Sequence, residues 1–211
     1  MTDTKGNPII WAIIPAAGLG RRMGRAKQAL HYRGSTFAAV VTRTLLDAGV
    51  ETVVVVTRAE LAESLRLPDD PRVTLAFNDD TDTEMIDSIR IGLAALDHVG
   101  AASDDGVLVA PADMPTISCP TYHACSQAFR DNPGHIVIAR HNGKRGHPII
   151  FPFALRRIVD TLDDGLRNLP IACKADVHYV DVDDPGATND VNTPGDYARL
   201  NPPDSLDIQE P

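Results

Sequence analysis

Directly after the apolar run Ile9–Ile14, the chain reads Pro15-Ala16-Ala17-Gly18-Leu19-Gly20-Arg21-Arg22-Met23-Gly24-Arg25-Ala26-Lys27. Its glycines leave the backbone free to turn several N–H groups toward one anion. Four basic residues in the seven positions from Arg21 to Lys27 add full positive charge at the same place. The formal net charge of the whole chain is −9, so this concentration of positive charge is local. The natural guest is a polyphosphate.

Two phosphate-binding patterns fail on spacing. A Walker A loop ends in Gly-Lys-Ser/Thr, but Gly24 is followed by Arg25. The dinucleotide pattern G-x-G-x-x-G, begun at Gly18 and Gly20, requires glycine where Met23 stands. The next β-branched run ends in Thr57-Arg58, without the acidic residue that would hold a ribose. On residues alone, the loop is either a phosphate cradle or a glycine-rich turn with a solvated basic patch.

The pattern that remains, A-A-G-x-G-x-R-M-G-x-x-K after a strand, resembles the signature of nucleotidyltransferases that activate a phosphate or sugar phosphate with a nucleoside triphosphate. Within that superfamily it is most similar to the molybdenum cofactor cytidylyltransferases. The resemblance implies that Ala16, Ala17, Gly18, Leu19, Gly20, Arg22, Met23, Gly24 and Lys27 wrap the nucleotide, with Arg22 and Lys27 neutralising its phosphates. Gly20 stands where the family has serine, which removes a hydroxyl and keeps a small residue.

Four further segments carry the same resemblance. Asp113, in Pro111-Ala112-Asp113-Met114-Pro115, follows a buried strand and maps onto the family's metal ligand. Mg²⁺ needs only one or two carboxylates beside phosphate oxygens and water, so one such residue can anchor it. Its structural alternative is a turn or cap residue before Pro115. Asn78 and Ser88 match nucleotide-contacting positions, although Glu84 replaces a glycine of the pattern. Read without the resemblance, Asn78 opens a turn and Ser88 is a helix surface residue.

Gly146-His147-Pro148 is similar to a segment bordering the family's acceptor pocket. Asn192, in Asn189-Asp190-Val191-Asn192-Thr193-Pro194, matches a second metal-contacting position, with Asp190 as the fallback. Helix capping by Asn192 or Thr193 before Pro194 explains the same residues, and the two roles are compatible. His135, His141 and His147 recur at six-residue intervals, which match no short zinc pattern.

The elements that must position these residues alternate along the chain. Strands are expected at Ile9–Ile14, Thr52–Thr57, Val73–Phe77, Gly106–Ala110, His135–Arg140, Pro148–Phe151 and His178–Val182. Helices are expected from a Ser35 or Thr36 cap to Gly49, over Ala59–Leu67, from Met85 to near Gly100, and over Thr121–Arg130. Others are expected over Ala154–Leu162 and Leu166–Cys173 and from Thr193-Pro194, with a polar turn at His141–Gly146. Alternating units of this kind predict an α/β fold, a three-layer Rossmann-like nucleotidyltransferase architecture with a mostly parallel sheet. Ligands then sit beyond the carboxyl ends of the strands, where the loops after Ile14, Phe77 and Ala110 should meet.

At 211 residues, with 43% hydrophobic and 23% charged side chains, the chain suits a single domain over 1–200. Residues 201–211, with Pro202, Pro203 and Pro211, read as a flexible tail. Cys119, Cys125 and Cys173 show no CxxC spacing and suit reduced thiols. No apolar run is long enough to span a membrane, and no basic-then-apolar leader is evident, so the expected location is cytoplasmic. The acidic balance disfavours nucleic acid.

The activity implied is Mg²⁺-dependent transfer of CMP from CTP to the phosphate of a molybdopterin-type cofactor, releasing pyrophosphate, with a molybdoenzyme as eventual recipient. Guanylyl-transferring relatives commonly have glycine where Ala17 stands, and a methyl there would narrow the base pocket toward a pyrimidine. A guanylyltransferase using GTP, a sugar-phosphate nucleotidyltransferase, or a non-catalytic cofactor-binding chaperone are the alternatives.

Overall fold

The structure, a computed structural model, describes residues 7–20, 26–82, 84–163 and 165–200. Residues 21–25, with Arg22, Met23 and Gly24, lie outside the described residues, as does the expected tail at 201–211.

Alternation of side chains along apolar strands explains the layering. In β1 (Ile10–Pro15), Ile10, Ala12 and Ile14 face one apolar cluster, and Trp11 and Ile13 face another. β4 (Thr52–Thr57) repeats the division, with Val53 and Val55 opposed to Val54 and Val56. Strands buried on both faces need helices on both faces. α1 (Phe37–Asp47) and α3 (Cys119–Asp131) cover the first cluster through Val41, Leu45, Tyr122 and Phe129. α2 (Met85–His98) covers the second through Ile86, Ile89, Leu93 and Leu96.

The sheet has seven strands in the order β5-β4-β1-β6-β8-β7-β9. The strands not yet given are β5 (Val73–Phe77), β6 (Gly106–Val109), β7 (Ile136–His141), β8 (Lys144–Pro152) and β9 (Val177–Asp181). β8 runs antiparallel to both its neighbours, and the other pairings are parallel. The carboxyl ends of β1, β4, β5 and β6 therefore share one edge. A two-stranded hairpin, β2 (His31–Tyr32) with β3 (Ser35–Thr36), precedes α1. Among the described residues no helix is long and apolar enough to cross a membrane.

Several expectations are corrected. The helix expected over Ala59–Leu67 is two 3-10 turns, Ala59–Leu61 and Glu63–Leu65, ended by Arg66 at φ 47°. Leu67 precedes Pro68, which disfavours helical backbone, and the Thr36 hydroxyl takes the Leu65 carbonyl as its acceptor. The stretch Ala154–Leu162 contracts to α4 (Arg156–Val159) behind a 3-10 turn at Phe153–Leu155. Leu166–Cys173 divides into a 3-10 turn at Leu166–Asn168 and α5 (Leu169–Cys173), with Pro170 in its first turn.

The polar turn at His141–Gly146 shrinks to Asn142-Gly143, both at positive φ, and β8 begins at Lys144. Positive φ at two successive residues is the twist that a tight hairpin demands. Arg33-Gly34, at φ 50° and 74°, closes the β2–β3 hairpin the same way.

Candidate functional site

A cavity of about 550 Å³ opens at the carboxyl edge of the sheet. The loop after β1 forms one wall, with Ala16, Ala17, Gly18, Leu19 and Gly20. The loop after β5 and the start of α2 form the facing wall, with Asp80, Thr81, Asp82, Glu84, Met85 and Ser88. Lys27, Asp113, Asp190 and Asn192 also line it.

The glycine wall is anchored from below. Ala16 N–H donates to the Val56 carbonyl at 2.7 Å, extending the β1–β4 ladder one step. The buried Gln28 amide donates to the carbonyls of Ala16 at 2.7 Å and Gly18 at 3.0 Å. Those bonds fix two of the loop carbonyls in place, and Gln28 itself lines the cavity. Among the described residues, a Cβ at Gly18 would meet nothing within 4 Å, so packing does not require glycine there. Gln28 was not among the residues singled out from sequence; its contacts are to backbone carbonyls, which leave no side-chain motif.

Asp113 reaches the cavity from the loop after β6. Its carbonyl accepts the Val191 N–H at 2.9 Å, which draws the 190–192 segment alongside. Lys27 Nζ then sits 3.1 Å from Asp113 Oδ2 and 2.5 Å from Asn192 Oδ1. The Asn192 amide nitrogen donates to the Asp190 carboxylate, which aims the amide oxygen at Lys27. Capping of α6 (Pro194–Leu200) falls to Thr193 instead: its hydroxyl accepts the Asp196 N–H, and the Asp196 carboxylate accepts N–H groups from Asn192 and Thr193. Hydrogen bonds from Thr193 above all hold the Asp196 carboxyl below its ordinary range. The Asn192 side chain is thereby left to the site.

These donors fit a hard divalent cation. A carboxylate oxygen and an amide oxygen converge on one cationic point, currently the Lys27 ammonium. Among the described residues no group of three or more His, Cys, Asp or Glu could hold a metal. An ion here would take one carboxylate, one neutral oxygen, and phosphate or water oxygens, the pattern Mg²⁺ and Mn²⁺ accept.

Asn78 and Ser88 form a pair: the buried Asn78 amide donates to Ser88 Oγ at 3.2 Å. Ser88 lines the cavity and Asn78 supports it from behind. Glu84 caps α2 in a reciprocal box with Asp87, which gives the acidic side chain a local structural job.

Gly146, His147 and Pro148 lie on β8 and do not line the cavity. A Cβ at Gly146 would fall 2.0 Å from the Ala187 carbonyl oxygen, so close backbone approach requires glycine there. His147 stands behind the cavity, its Nδ1 buried without a hydrogen-bond partner among the described residues. Burial pushes its imidazole below the usual histidine range, against the opposing influence of the Val109 backbone and of Asp113 and Asp190.

A family described as the MobA-like NTP transferase domain matches residues 12–174. The chain is 29% identical over 208 residues to a nicotine blue oxidoreductase of Paenarthrobacter nicotinovorans, covering 92% of this chain and 97% of that one. It is 34% identical over 122 residues to a probable molybdenum cofactor guanylyltransferase of Opitutus terrae, covering 58% and 56%. It is also 34% identical over 131 residues to a 2-C-methyl-D-erythritol 4-phosphate cytidylyltransferase of Pseudomonas putida, covering 60% and 54%. The chain thus spans about half the length of these last two relatives.

Among solved structures, Rv0371c of Mycobacterium tuberculosis H37Rv shares the fold, with TM-score 0.79, 22% identity and coverage of 92% and 98%. Its complex with manganese has TM-score 0.74 and 22% identity, over 91% and 97% of the two chains.

Proposed function

The chain belongs to the MobA-like NTP transferase family and is a nucleotidyltransferase, and on that premise we propose that it transfers CMP from CTP to the terminal phosphate of a molybdopterin-type cofactor. The observation that carries the reading is the convergence of Lys27, Asp113 and Asn192 beneath a glycine wall. Cytidylyl transfer needs a cation site and a phosphate cradle within one cleft, and the placement of these residues supports that reading. In this reading one domain does the work in the cytoplasm, drawing on its CTP and passing product to a molybdoenzyme.

An oxygen of the acceptor phosphate forms a bond to the α-phosphorus of CTP, and the bond from that phosphorus to the bridging oxygen breaks. The bonding pair leaves with pyrophosphate. A phosphate monoester is mostly dianionic near neutrality, with a second pKa of about 6, so no side chain needs to take a proton. Asp113 and Asn192 would hold a divalent cation, Mg²⁺ or Mn²⁺, which supplies charge neutralisation at the phosphates when bound. The loop amides from Ala16 to Gly20 and Lys27 bind the departing phosphates, joined in this reading by Arg22, Met23 and Gly24. Lys27 would leave Asp113 for the triphosphate. Asn78 would hold Ser88 toward the base or ribose, and His147, with Gly146 and Pro148, would border an acceptor site next to the cavity they do not line.

Choice of CTP rests on Ala17, which is among the residues lining the cavity. GTP is the second reading, favoured by the relative named as a guanylyltransferase. Pyrophosphate release should be measured with CTP, GTP, ATP and UTP, with molybdopterin-type acceptor and either cation present. CTP should turn over fastest and yield a cytosine dinucleotide by mass; a faster reaction with GTP overturns the base assignment.

A further inference from the structure

Arg58 follows β4 directly, is buried, and lines the same cavity. Its guanidinium makes three directed bonds: Nη2 to the Asp79 carbonyl at 2.8 Å, Nη1 to the Asp80 carbonyl at 3.1 Å, and Nε to Glu60 Oε1 at 2.9 Å. Two adjacent tethers complete the attachment. Asn78 N–H donates to the Thr57 carbonyl at 2.8 Å, and Ala59 N–H to Asp79 Oδ1 at 2.8 Å. The loop that forms the wall opposite the glycines is therefore hooked over the end of β4.

We infer that Arg58 is a positioning residue for nucleotide binding, fixing the 79–82 wall against the glycine wall so that the cleft keeps the width of one nucleotide. The inference rests on the nucleotidyl-transfer reading of the cavity. A planar fork can hold two successive carbonyls and a carboxylate in one plane; a lysine ammonium is a single point of charge and cannot. Three of the five guanidinium N–H donors, one on each nitrogen, are directed at protein acceptors, which is why we assign Arg58 to the loop and not to the transferring phosphates.

The test compares wild-type protein with Arg58→Lys and Arg58→Ala. Readouts are kcat and KM for CTP, and hydrogen exchange at the amides of 79–82. Both variants should raise KM by about tenfold or more, the effect of losing a buried charged hydrogen bond, with kcat changed less than about threefold. Exchange at 79–82 should quicken in both while β4 stays protected. Added guanidinium ion at low millimolar concentration should lower KM for Arg58→Ala and leave Arg58→Lys unchanged.

A wild-type KM in Arg58→Lys would overturn the inference by showing that charge alone suffices. A fall in kcat at constant KM would overturn it by placing Arg58 on the reacting phosphates. If wild-type protein released pyrophosphate from no nucleotide, the transfer reading itself would fail, and the exchange measurement alone would decide whether Arg58 fixes the loop.

Discussion

Lys27 Nζ lies 3.1 Å from Asp113 Oδ2, across 86 residues of sequence, and the same ammonium reaches Asn192 Oδ1 at 2.5 Å across 165. One positive charge thus occupies the point on which two cation-binding oxygens converge. A divalent ion and an ammonium cannot share that point, since like charges a few ångströms apart repel strongly where solvent is partly excluded. In the proposed reading a triphosphate would offer the ammonium another partner and free both oxygens.

Replacing Lys27 by Ala should therefore affect metal and chemistry in opposite directions. Without nucleotide, the variant should bind Mn²⁺ about tenfold more tightly than wild-type protein, since it no longer displaces an ion pair. Transfer should fall by about a hundredfold or more, as expected when a charge that stabilises the departing phosphates is removed. Electron paramagnetic resonance of free Mn²⁺ measures the first effect and pyrophosphate release the second. Unchanged Mn²⁺ affinity would show that Asp113 and Asn192 do not hold the ion.

Asp113 and Asn192 should differ in weight. Asp113→Ala removes the charged oxygen and should cost about a thousandfold in transfer, whereas Asn192→Ala removes a neutral one and should cost nearer tenfold. Raising Mn²⁺ should rescue Asn192→Ala substantially and Asp113→Ala little. Equal losses without rescue would assign Asn192 a structural role.

Gln28 tethers the glycine loop. Its amide holds the Ala16 and Gly18 carbonyls, and Gln28→Ala would leave two loop acceptors without that partner. Stability should fall by about 1–2 kcal/mol in urea titration. KM for the nucleotide should rise while kcat for bound substrate changes little, which separates Gln28 from Lys27.

Legibility in the sequence followed from how local each signal was. The β-branched run Thr52–Thr57 and the run Val73–Phe77 coincide with strands because every residue in them meets the sheet. Asp113 is marked in the sequence both by a local rule, an acidic residue just past a buried strand, and by the resemblance, and the structure brings it to the cavity. The Asn142-Gly143 turn lies within the polar turn expected at His141–Gly146, and the hairpin expected there forms, whereas the Arg33-Gly34 hairpin carries the same short-range signal and is not among the expected elements. Arg58 and Gln28 grip backbone carbonyls on other segments, so no spacing in their own neighbourhood reveals them. The aim of Asn192 depends on the pairing of Val191 with Asp113, a contact that exists only once the chain is folded.

The buried Asp184 should give stability a dependence on pH in the acid range. Burial opposes its ionisation, but hydrogen bonds from Thr121, Ser118 and Gly186 outweigh that and hold the carboxyl below its ordinary value. The folded state therefore binds this proton less readily than the unfolded state. The stabilisation is complete above the unfolded carboxyl's pKa, near 4, and is lost as pH falls through the lower folded value. Asp184→Asn should be less stable than wild-type protein at pH 7, and the gap should close below about pH 4. Urea titrations at pH 7, 5 and 3 measure it; a constant gap would place the stabilisation outside the carboxylate charge.

Gly146 separates packing from acceptor binding. A methyl group there would sit 2.0 Å from the Ala187 carbonyl oxygen and 2.8 Å from the Ala187 carbonyl carbon, and backbone cannot swing aside as a side chain can. The Pro185–Thr188 turn is held by Asp184, whose carboxylate accepts the Gly186 N–H at 2.9 Å and is itself fixed to Ser118 and Thr121. Any shift that relieves the clash must strain that anchor or move the segment leading to Val191 and Asn192. Gly146→Ala should therefore cost about 1–3 kcal/mol of stability, the range for overpacking. It should also weaken Mn²⁺ binding in the presence of nucleotide, because Asn192 moves with the turn. If stability and Mn²⁺ affinity both held while KM rose only for the acceptor, Gly146 would belong to the acceptor pocket and not to the support of the cation site.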